Sequence, residues 1–268
     1  MNGAAGTEVI RAWKPPIVGV REVFHARFRE HRYPPHVHDV WTVFVVDHGG
    51  IRYDLDRHDR AASRHGVSVL PPHVVHDGRP ATDAGFVKRV LYLEADVIGE
   101  HLIGRAVDNP ELLDEDLRRL VSRLHEALEC SDDRLEAETL VALATERIRA
   151  HLGDPSDDGP VSPDLVEAFR AYLDAHLFEP ITIRAAAEEL GVRPTQIARA
   201  FSSSLGIAPH AYVLGRRLEA ARDRILRGQP LADVAADVGF VDQAHLSRRF
   251  RKFLGATPGQ FRRASLPA

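Results

Sequence analysis

The sequence predicts a two-domain α+β protein with a β-rich N-terminal domain and an all-helical C-terminal domain. Three observations predict this division. Apolar and polar residues alternate in short segments of residues 19–93, which is the period of half-buried strands. From residue 109 onward, apolar residues recur at spacings of three and four, which is the period of helices. Residues 153–163 are rich in Pro, Gly, Ser and Asp and have no such period, so we expect a linker between the domains.

The strands expected in the N-terminal domain are short and are separated by turn residues. The clearest of them are residues 24–28, 42–46, 51–55 and 67–70. Gly49-Gly50 and Pro71-Pro72 lie between them. Many short strands divided by turns are typical of a sandwich or a barrel, so residues 1–107 are predicted to form a β-barrel preceded by an N-terminal arm.

Two helices are predicted between the barrel and the linker, over residues 108–152. Leucines recur along the first helix at spacings of four and three, at Leu113, Leu117, Leu120, Leu124 and Leu128. The second helix is expected to run from Leu135 to Leu152. Two interpretations stay open, because such a stripe either packs against the barrel or forms the interface of a dimer.

The C-terminal domain, residues 164–268, contains one short segment twice, over residues 187–212 and 235–261. The offset between equivalent residues is 48 up to the first glycine and 49 after it, so one residue has been inserted in the turn. Thr182 and Asp242 are suited to cap helices, and the first glycine of each copy is suited to the turn that follows a helix. Each copy therefore predicts a helix–turn–helix unit.

A helix–turn–helix unit places its second helix in the major groove of DNA, where arginine pairs with guanine and glutamine with adenine. The residues expected to read bases are Thr195, Gln196, Arg199, Gln243, His245, Ser247 and Arg248. The residues expected to hold phosphates are Arg249, Arg251, Lys252, Arg262 and Arg263. Charge favours a polyanionic partner only in this part of the chain. Residues 164–268 carry +4 and residues 1–163 carry −8, in a chain of net charge −4.

The histidines are concentrated in the predicted barrel, since eight of the fifteen lie between His31 and His76. His36 and His38 share one face of a strand because strand side chains alternate. His76 follows a proline turn and is placed to join them from a neighbouring strand. Two interpretations stay open, because three imidazoles either hold a divalent metal or shape an effector pocket. The expected pocket consists of His36, His38, Trp41 and His76.

The second copy of the repeat closely resembles the signature of the AraC/XylS family of transcriptional regulators. The residues that carry the resemblance are Val238-Gly239-Phe240, His245-Leu246-Ser247-Arg248-Arg249-Phe250 and Gly255-Ala256-Thr257-Pro258. The resemblance covers roughly residues 165–264 and implies two helix–turn–helix units joined by a long helix. It also implies base-reading positions at Thr195, Ala198, Arg199, Gln243, Ala244, Ser247 and Arg248. Two of these positions hold alanine, where the family often has a long polar side chain.

The histidine motifs resemble the two metal motifs of the cupin barrel, a double-sheet jelly roll that commonly precedes AraC-type DNA-binding domains. In the cupin pattern three or four residues separate the second histidine from a glutamate, and Thr42 and Val43 occupy those places here. The resemblance therefore implies a cupin-like sensor domain, with a divalent metal as an open alternative.

The function predicted from these features is a sequence-specific transcriptional regulator controlled by a small-molecule effector in the barrel. Its expected partners are double-stranded DNA, the effector and a second copy of the chain, with RNA polymerase as a further candidate. Two alternatives stay open. One is a metal-dependent cupin enzyme with a DNA-binding tail, and the other is a constitutive DNA-binding protein whose barrel only dimerises.

Other functional classes find little support in the sequence. No apolar run is long enough to span a bilayer, and the first residues do not resemble a signal peptide. Cys130 is the single cysteine, which fits a reducing compartment, so we expect a cytoplasmic protein without a membrane partner. No nucleotide-binding glycine loop or Ser/His/Asp signature is present, and we predict that the chain is not an enzyme and has no catalytic residues.

Overall fold

The computed structural model describes residues 8–129, 133–154 and 162–265, and the chain divides into two compact units. The N-terminal unit contains residues 1–131 and 140–157, and the C-terminal unit contains residues 132–139 and 158–268. The first unit is β-rich and the second is helical, which confirms the predicted α+β fold class. The first seven residues of the predicted arm and most of the predicted linker lie outside the described residues.

Among the described residues, ten strands form two antiparallel sheets in the N-terminal unit. They are β1 Val9–Trp13, β2 Val20–Phe28, β3 Tyr33–His36, β4 Trp41–Gly49, β5 Ile51–Leu55, β6 His58–Ala62, β7 Val67–Leu70, β8 His76–Pro80, β9 Phe86–Leu93 and β10 Glu111–Leu112. One sheet has the order β1-β2-β9-β4-β7-β10 and the other has the order β3-β8-β5-β6. The four strands expected from the sequence fall within β2, β4, β5 and β7, and the expected barrel is a two-sheet structure that is not closed.

The core of the N-terminal unit contains side chains from both sheets, because alternate residues of a strand point to one face. Phe44 on β4 and Val90 on β9 belong to this core. Tyr53 and Leu55 on β5 meet them from the other sheet. The same alternation decides which side chains of β4 and β9 line the cavity described below.

The helices of the N-terminal region follow the strands closely. They are α1 Ala95–Ile98, a 3₁₀ turn Glu100–Leu102, α2 Ile103–Asp108, α3 Glu115–Glu129 and α4 Arg134–His151. Helix α3 contacts β4, and Leu117, Leu124 and Leu128 of the leucine stripe are buried. Leu113 precedes the helix and is exposed. These three leucines therefore pack within the chain.

His25 on β2, which is half-buried, and His125 on α3, which is buried, form a pair in the N-terminal unit. The Nε2 atom of His25 lies 3.1 Å from the Nδ1 atom of His125. The ring of Trp13, on the edge strand β1, packs edge-on against the ring of His25 at 5.0 Å. Burial lowers the pKa of both imidazoles below the ordinary value of 6.5, so folding favours their neutral forms.

We expect the N-terminal unit to lose stability as the pH falls below about 6.5. The unfolded chain binds more protons than the folded chain in this range. The free energy of unfolding therefore decreases as the pH decreases. His125→Leu is expected to reduce this pH dependence, and His58→Leu, at an exposed site, is expected to leave it unchanged. Urea unfolding followed by tryptophan fluorescence measures it, since Trp13 and Trp41 both lie in this unit. An identical pH dependence in the two variants would contradict the assignment.

The described part of the C-terminal unit is built from seven complete helices and the first turns of α4. The seven are α5 Pro163–Ala175, α6 Ile183–Glu189, α7 Pro194–Leu205, α8 Pro209–Leu226, α9 Leu231–Asp237, α10 Gln243–Leu254 and α11 Pro258–Ser265. Across the described segments of the chain, no helix combines the length and the apolar composition that crossing a membrane requires.

The two copies of the repeat have one apolar core each. Phe201 on α7 lies in the first core and packs edge-on against Phe169 at 5.2 Å. Phe250 on α10 lies in the second core and packs edge-on against Phe261 at 5.5 Å. Helix α8 joins the copies, and its 18 residues give it a length of about 27 Å.

The caps and turns of both copies agree with the sequence prediction. The side chain of Thr182 accepts a hydrogen bond from the Ala185 N–H at 3.1 Å at the start of α6. Gly191 and Gly239 have φ values of +66° and +78°, the left-handed region that favours glycine. A Cβ at Gly239 would lie 2.8 Å from the Phe178 carbonyl oxygen, so this turn also needs glycine for space.

Candidate DNA-reading helices and candidate effector cavity

The second helix of the second copy, α10, presents a polar outer face. Leu246 and Phe250 are buried, whereas Gln243, Ala244 and Arg248 are exposed. Ser247 is half-buried on the same side of the helix. A helix that buries one face and exposes glutamine and arginine on its first two turns has the form of a major-groove recognition helix.

The second helix of the first copy, α7, is arranged similarly but is less open. Thr195, Gln196 and Arg199 are half-buried. Ala198 is fully buried. The family resemblance implies a base contact at this position, but in this chain the residue is part of the core. Ala198 is adjacent to Ile197 and lies on the helix face that the apolar spacing marks as buried. Its burial could therefore have been predicted from the sequence.

His245 is a correction to the predicted base-reading set. Its side chain is only 5% exposed, and its ring packs edge-on against Phe240 at 5.2 Å. It is the residue before Leu246 on the buried side of the helix. Its backbone N–H donates to Asp242 Oδ1 at 2.6 Å at the start of α10. Because its side chain is buried, His245 is removed from the set of exposed candidates for base reading.

Arg249 is a second correction, because its guanidinium is held by acidic residues of the same unit. Its Nη2 atom lies 3.0 Å from Glu136 Oε2 and 3.4 Å from Asp133 Oδ2. Glu138, two residues further on, accepts a hydrogen bond from the Ile183 N–H at 2.9 Å. Arg249 is therefore engaged within its own unit, and residues 133–138 are tied to the middle of α10 and to the first residue of α6.

The other basic residues proposed for phosphates are more accessible. Arg251, Lys252 and Arg263 are exposed, and Arg262 is half-buried. Arg251 follows Ser247 by four residues and thus lies on the same face of α10 as the expected base readers. The outer face of α10 therefore combines polar side chains for base edges with cations for the backbone.

We expect the Asp242→Ala variant to destabilise the second helix–turn–helix unit by about 1 kcal/mol, because α10 loses its N-cap. Asp242→Asn keeps a side-chain oxygen at the cap and is the matched control, with a stability close to that of the parent chain. Urea unfolding followed by circular dichroism at 222 nm measures both. Equal losses in the two variants would show that the carboxylate charge, and not the cap hydrogen bond, is the cause.

A cavity of about 260 Å³ lies between the two sheets of the N-terminal unit. It is lined by Tyr33, His36, His38, Thr42, Phe44, Ile51, Tyr53, Leu70, His76, Asp77, Gly78, Lys88 and Tyr92. Its size is close to the lower end of the range for small-molecule sites, roughly 300–1,000 Å³.

The three predicted histidines meet in this cavity. One ring nitrogen each from His36, His38 and His76 lies within 4.8 Å of the others. The Nδ1 atoms of His36 and His76 lie 2.7 and 3.0 Å from the carbonyl oxygens of Pro34 and Val74. Donation to a carbonyl fixes the proton on Nδ1, which leaves Nε2 with a lone pair for a ligand.

These histidines fit a divalent cation by their chemistry. Burial lowers the pKa of His76 to about 4, so this imidazole is neutral and able to coordinate at neutral pH. Thr42 lines the cavity where the cupin pattern has a glutamate, and Val43 does not line it. The protein therefore offers three nitrogen ligands and a hydroxyl, without a carboxylate from β4.

Trp41 does not belong to the cavity, which corrects the predicted effector pocket. Thr42 and Phe44 line it, and strand alternation places Trp41 on the opposite face of β4. The Trp41 Nε1–H donates to the Ala95 carbonyl oxygen at 3.1 Å, and its side chain is fully buried. Trp41 therefore holds α1 against the sheet.

Lys88 on β9 is a cavity residue that the sequence reasoning missed. Its Nζ atom lies 4.3 Å from the ring centre of Tyr33 and between 5.8 and 5.9 Å from those of Phe24, Phe44 and Phe86. Burial lowers its pKa to about 8. The sequence does not distinguish Lys88 from its neighbour Arg89 as the inward-facing residue. Only the strand register shows which of the two faces the cavity.

Comparison with known proteins agrees with both parts of this architecture. A family model described as an AraC-like ligand binding domain matches residues 18–144. A model described as a helix-turn-helix domain matches residues 186–264. The chain therefore carries an AraC-like ligand binding domain followed by a helix-turn-helix domain.

Individual curated relatives match over part of their length. The probable transcriptional regulator LumQ of Photobacterium leiognathi is 34% identical over 91 residues, which are 34% of this chain and 37% of that protein. The uncharacterized HTH-type transcriptional regulator YijO of Escherichia coli K12 is 29% identical over 146 residues, which are 54% of this chain and 51% of that protein. The chain thus spans between about a third and a half of the length of these curated relatives. Both relatives are named as transcriptional regulators.

Among solved structures, the C-terminal domain of AraT, a response regulator from Geobacillus stearothermophilus, is 27% identical with a TM-score of 0.37. That similarity covers 41% of this chain and 92% of the AraT domain.

Proposed function

We propose that this chain is a transcriptional regulator that reads double-stranded DNA with α7 and α10 and responds to a small effector in the N-terminal cavity. The observation that carries the proposal is the pair of capped helix–turn–helix units joined by α8. Each unit buries one face of its second helix, and the polar side chains of the other face are exposed in α10 and half-buried in α7. The refined base-reading set is Thr195, Gln196, Arg199, Gln243, Ser247 and Arg248. The phosphate set is Arg251, Lys252, Arg262 and Arg263.

Control by an effector needs an element whose state both sites can bias. Helix α4 is the best candidate, because it runs unbroken from Arg134 to His151 while contributing residues to both units. Its first turns are fixed to the DNA-reading domain by Glu136 and Glu138. An effector that shifts α4 would thereby act on Arg249 in α10 and on the first turn of α6.

Further parts of the proposal rest on the family alone. They are a homodimer, contact with RNA polymerase, a cytoplasmic location and the absence of a catalytic role. A dimer would use a surface other than the leucine stripe, since Leu117, Leu124 and Leu128 are buried. Sedimentation of the full chain tests the dimer directly.

The experiment that tests DNA reading is selection of binding sites from a random duplex library by the full chain. The expected result is one enriched motif bound about 10³-fold or more tightly than random duplex. The affinity for random duplex should fall steeply with salt because it depends on phosphate contacts. A failure to enrich any motif, or a preference of less than about tenfold, would contradict sequence-specific reading.

A metal at the three histidines is a second candidate role, favoured by their geometry. We expect zinc calorimetry on untagged protein to give one site per chain. Loss of a residue that only supports a metal ligand lowers metal affinity ~10–100-fold. The His76→Ala variant loses a ligand itself, so its affinity for zinc should fall by at least that factor. His48→Ala, at an exposed histidine, is the matched control and should bind zinc as the parent chain does. Absence of a stoichiometric site, or its persistence in His76→Ala, would exclude a metal held by this set.

A further inference from the structure

The cavity holds a cation that has no anionic partner in the described part of the chain. Lys88 is surrounded by the four aromatic rings given above, and its Nζ atom forms no ion pair within 4.0 Å among the described residues. Buried charges in proteins are normally paired. A lysine that faces a cavity without a protein anion therefore indicates an anion supplied by a ligand.

Among the residues that the structure describes, Asp77 is the one carboxylate that lines the cavity, and it already has partners. Its Oδ1 atom accepts from the Asp54 N–H at 2.7 Å, and the same oxygen lies 3.2 Å from Arg79 Nη1. Arg79 also pairs with Asp59 at 2.9 Å, so Asp77 belongs to an ion network on β5, β6 and β8. The charge of Lys88 is therefore not balanced from the cavity wall.

Three buried hydroxyls of the same cavity also lack hydrogen-bond partners among the described residues. They are the Tyr33 hydroxyl on β3, the Thr42 hydroxyl on β4 and the Tyr53 hydroxyl on β5. Buried polar groups are nearly always hydrogen-bonded, and each exception calls for an explanation, of which a bound group is one. Each of these hydroxyls can donate to an acceptor, as the ammonium group of Lys88 can.

The remaining wall is apolar. Phe44, Ile51 and Leu70 belong to the buried core and line the cavity. A ligand that satisfies this site has one anionic, acceptor-rich end and a compact apolar body. A carboxylate fits the first requirement, since its two oxygens offer about four acceptor positions.

We propose that the cavity binds a small organic carboxylate, whose carboxylate group pairs with Lys88 and accepts hydrogen bonds from the Tyr33 and Thr42 hydroxyls. The apolar body of this ligand lies against Phe44, Ile51 and Leu70. This inference rests on the proposed effector function and names the chemical class of the effector.

Calorimetry of the full chain with benzoate and hexanoate, each compared with its uncharged amide, tests the proposal. At least one carboxylate should bind with a Kd at or below about 1 mM. Benzamide and hexanamide should bind at least about tenfold more weakly, because a charge-assisted pair is lost. Each titration is repeated with one equivalent of Zn²⁺, which separates the contribution of Lys88 from that of a metal.

Lys88→Met is the decisive variant, and Lys14→Met is its matched control at an exposed lysine of the same unit. Lys88→Met should weaken carboxylate binding at least about tenfold while keeping the parent circular dichroism spectrum and unfolding at an equal or higher urea concentration. Lys14→Met should bind as the parent chain does. Binding of neither carboxylate, equal binding of acid and amide, or unchanged binding by Lys88→Met would each overturn the proposal.

These outcomes are separable from failure of the proposed function. A chain that binds carboxylates through Lys88 but never changes its DNA affinity would keep this inference and refute effector control. A chain whose DNA affinity responds only to uncharged compounds would keep effector control and refute this inference.

Discussion

The Phe250→Ala variant should lose about 3–5 kcal/mol of stability in its C-terminal unit, the cost of deleting a fully buried aromatic side chain. Phe250 is 0% exposed and lies in a core with Leu218, Val234 and Leu246. Its ring also packs against Phe261, and removing it opens a cavity under the recognition helix. DNA binding should fall with the folded fraction of this unit.

The matched control for Phe250→Ala is Phe253→Ala, one turn further along the same helix. Phe253 is 61% exposed, so its truncation should change stability by no more than about 0.5 kcal/mol. Circular dichroism at 222 nm follows the helical unit, whereas tryptophan fluorescence follows the N-terminal unit, which contains both tryptophans. Phe250→Ala should shift the first signal alone. Equal effects of the two substitutions would refute the assigned core.

The Arg248→Ala variant should lose about 1–3 kcal/mol of base discrimination, or roughly 10- to 100-fold, at one or two base pairs of the selected DNA site. Arg248 is exposed on the outer face of α10, where a bidentate contact with guanine is geometrically available. Fluorescence anisotropy with the selected site and with single-base variants measures the loss. Arg199→Ala should produce the equivalent loss about one helical turn away.

Arg251→Ala is the control that separates base reading from phosphate binding. It removes a cation from the same face of α10, so it should weaken binding to every sequence by a similar factor and lower the salt slope by about one. If Arg248→Ala also weakened binding to every sequence by a similar factor, Arg248 would be a phosphate contact and not a base reader.

Local features of the fold could be predicted because their causes lie within a few residues. Thr182 and Asp242 cap helices through side-chain bonds to N–H groups three residues away, and the glycine turns need only a left-handed φ. The burial of Ala198 and His245 was predictable in the same way, since both lie next to core residues in the helical period. Ala198 was expected at a base only because the family resemblance implies a contact there, whereas His245 was assigned to the outer face of its helix directly from the sequence.

The features that could not be predicted depend on contacts between distant parts of the chain. Arg249 is 113 residues from Glu136 in the chain. The sequence therefore gives no sign that Arg249 is engaged in an ion pair instead of binding a phosphate. The inward direction of Lys88 depends on the register of β9 against β2 and β4, which pairs Lys88 with Ala26 and Val46. Trp41 was wrongly assigned to the effector pocket for a related reason. Alternate residues of a strand face opposite sides, and the sequence does not show whether Trp41 or Thr42 faces the cavity.

The most direct test of the account is protection of guanine N7 from dimethyl sulfate by the full chain on its selected DNA site. Two helix–turn–helix units joined by α8 predict two protected major-groove segments on one face of the duplex, about 10–10.5 base pairs apart. Arg199→Ala should abolish protection in one segment and Arg248→Ala in the other. A single protected segment, or two segments on opposite faces, would contradict the assignment of α7 and α10 as paired reading helices.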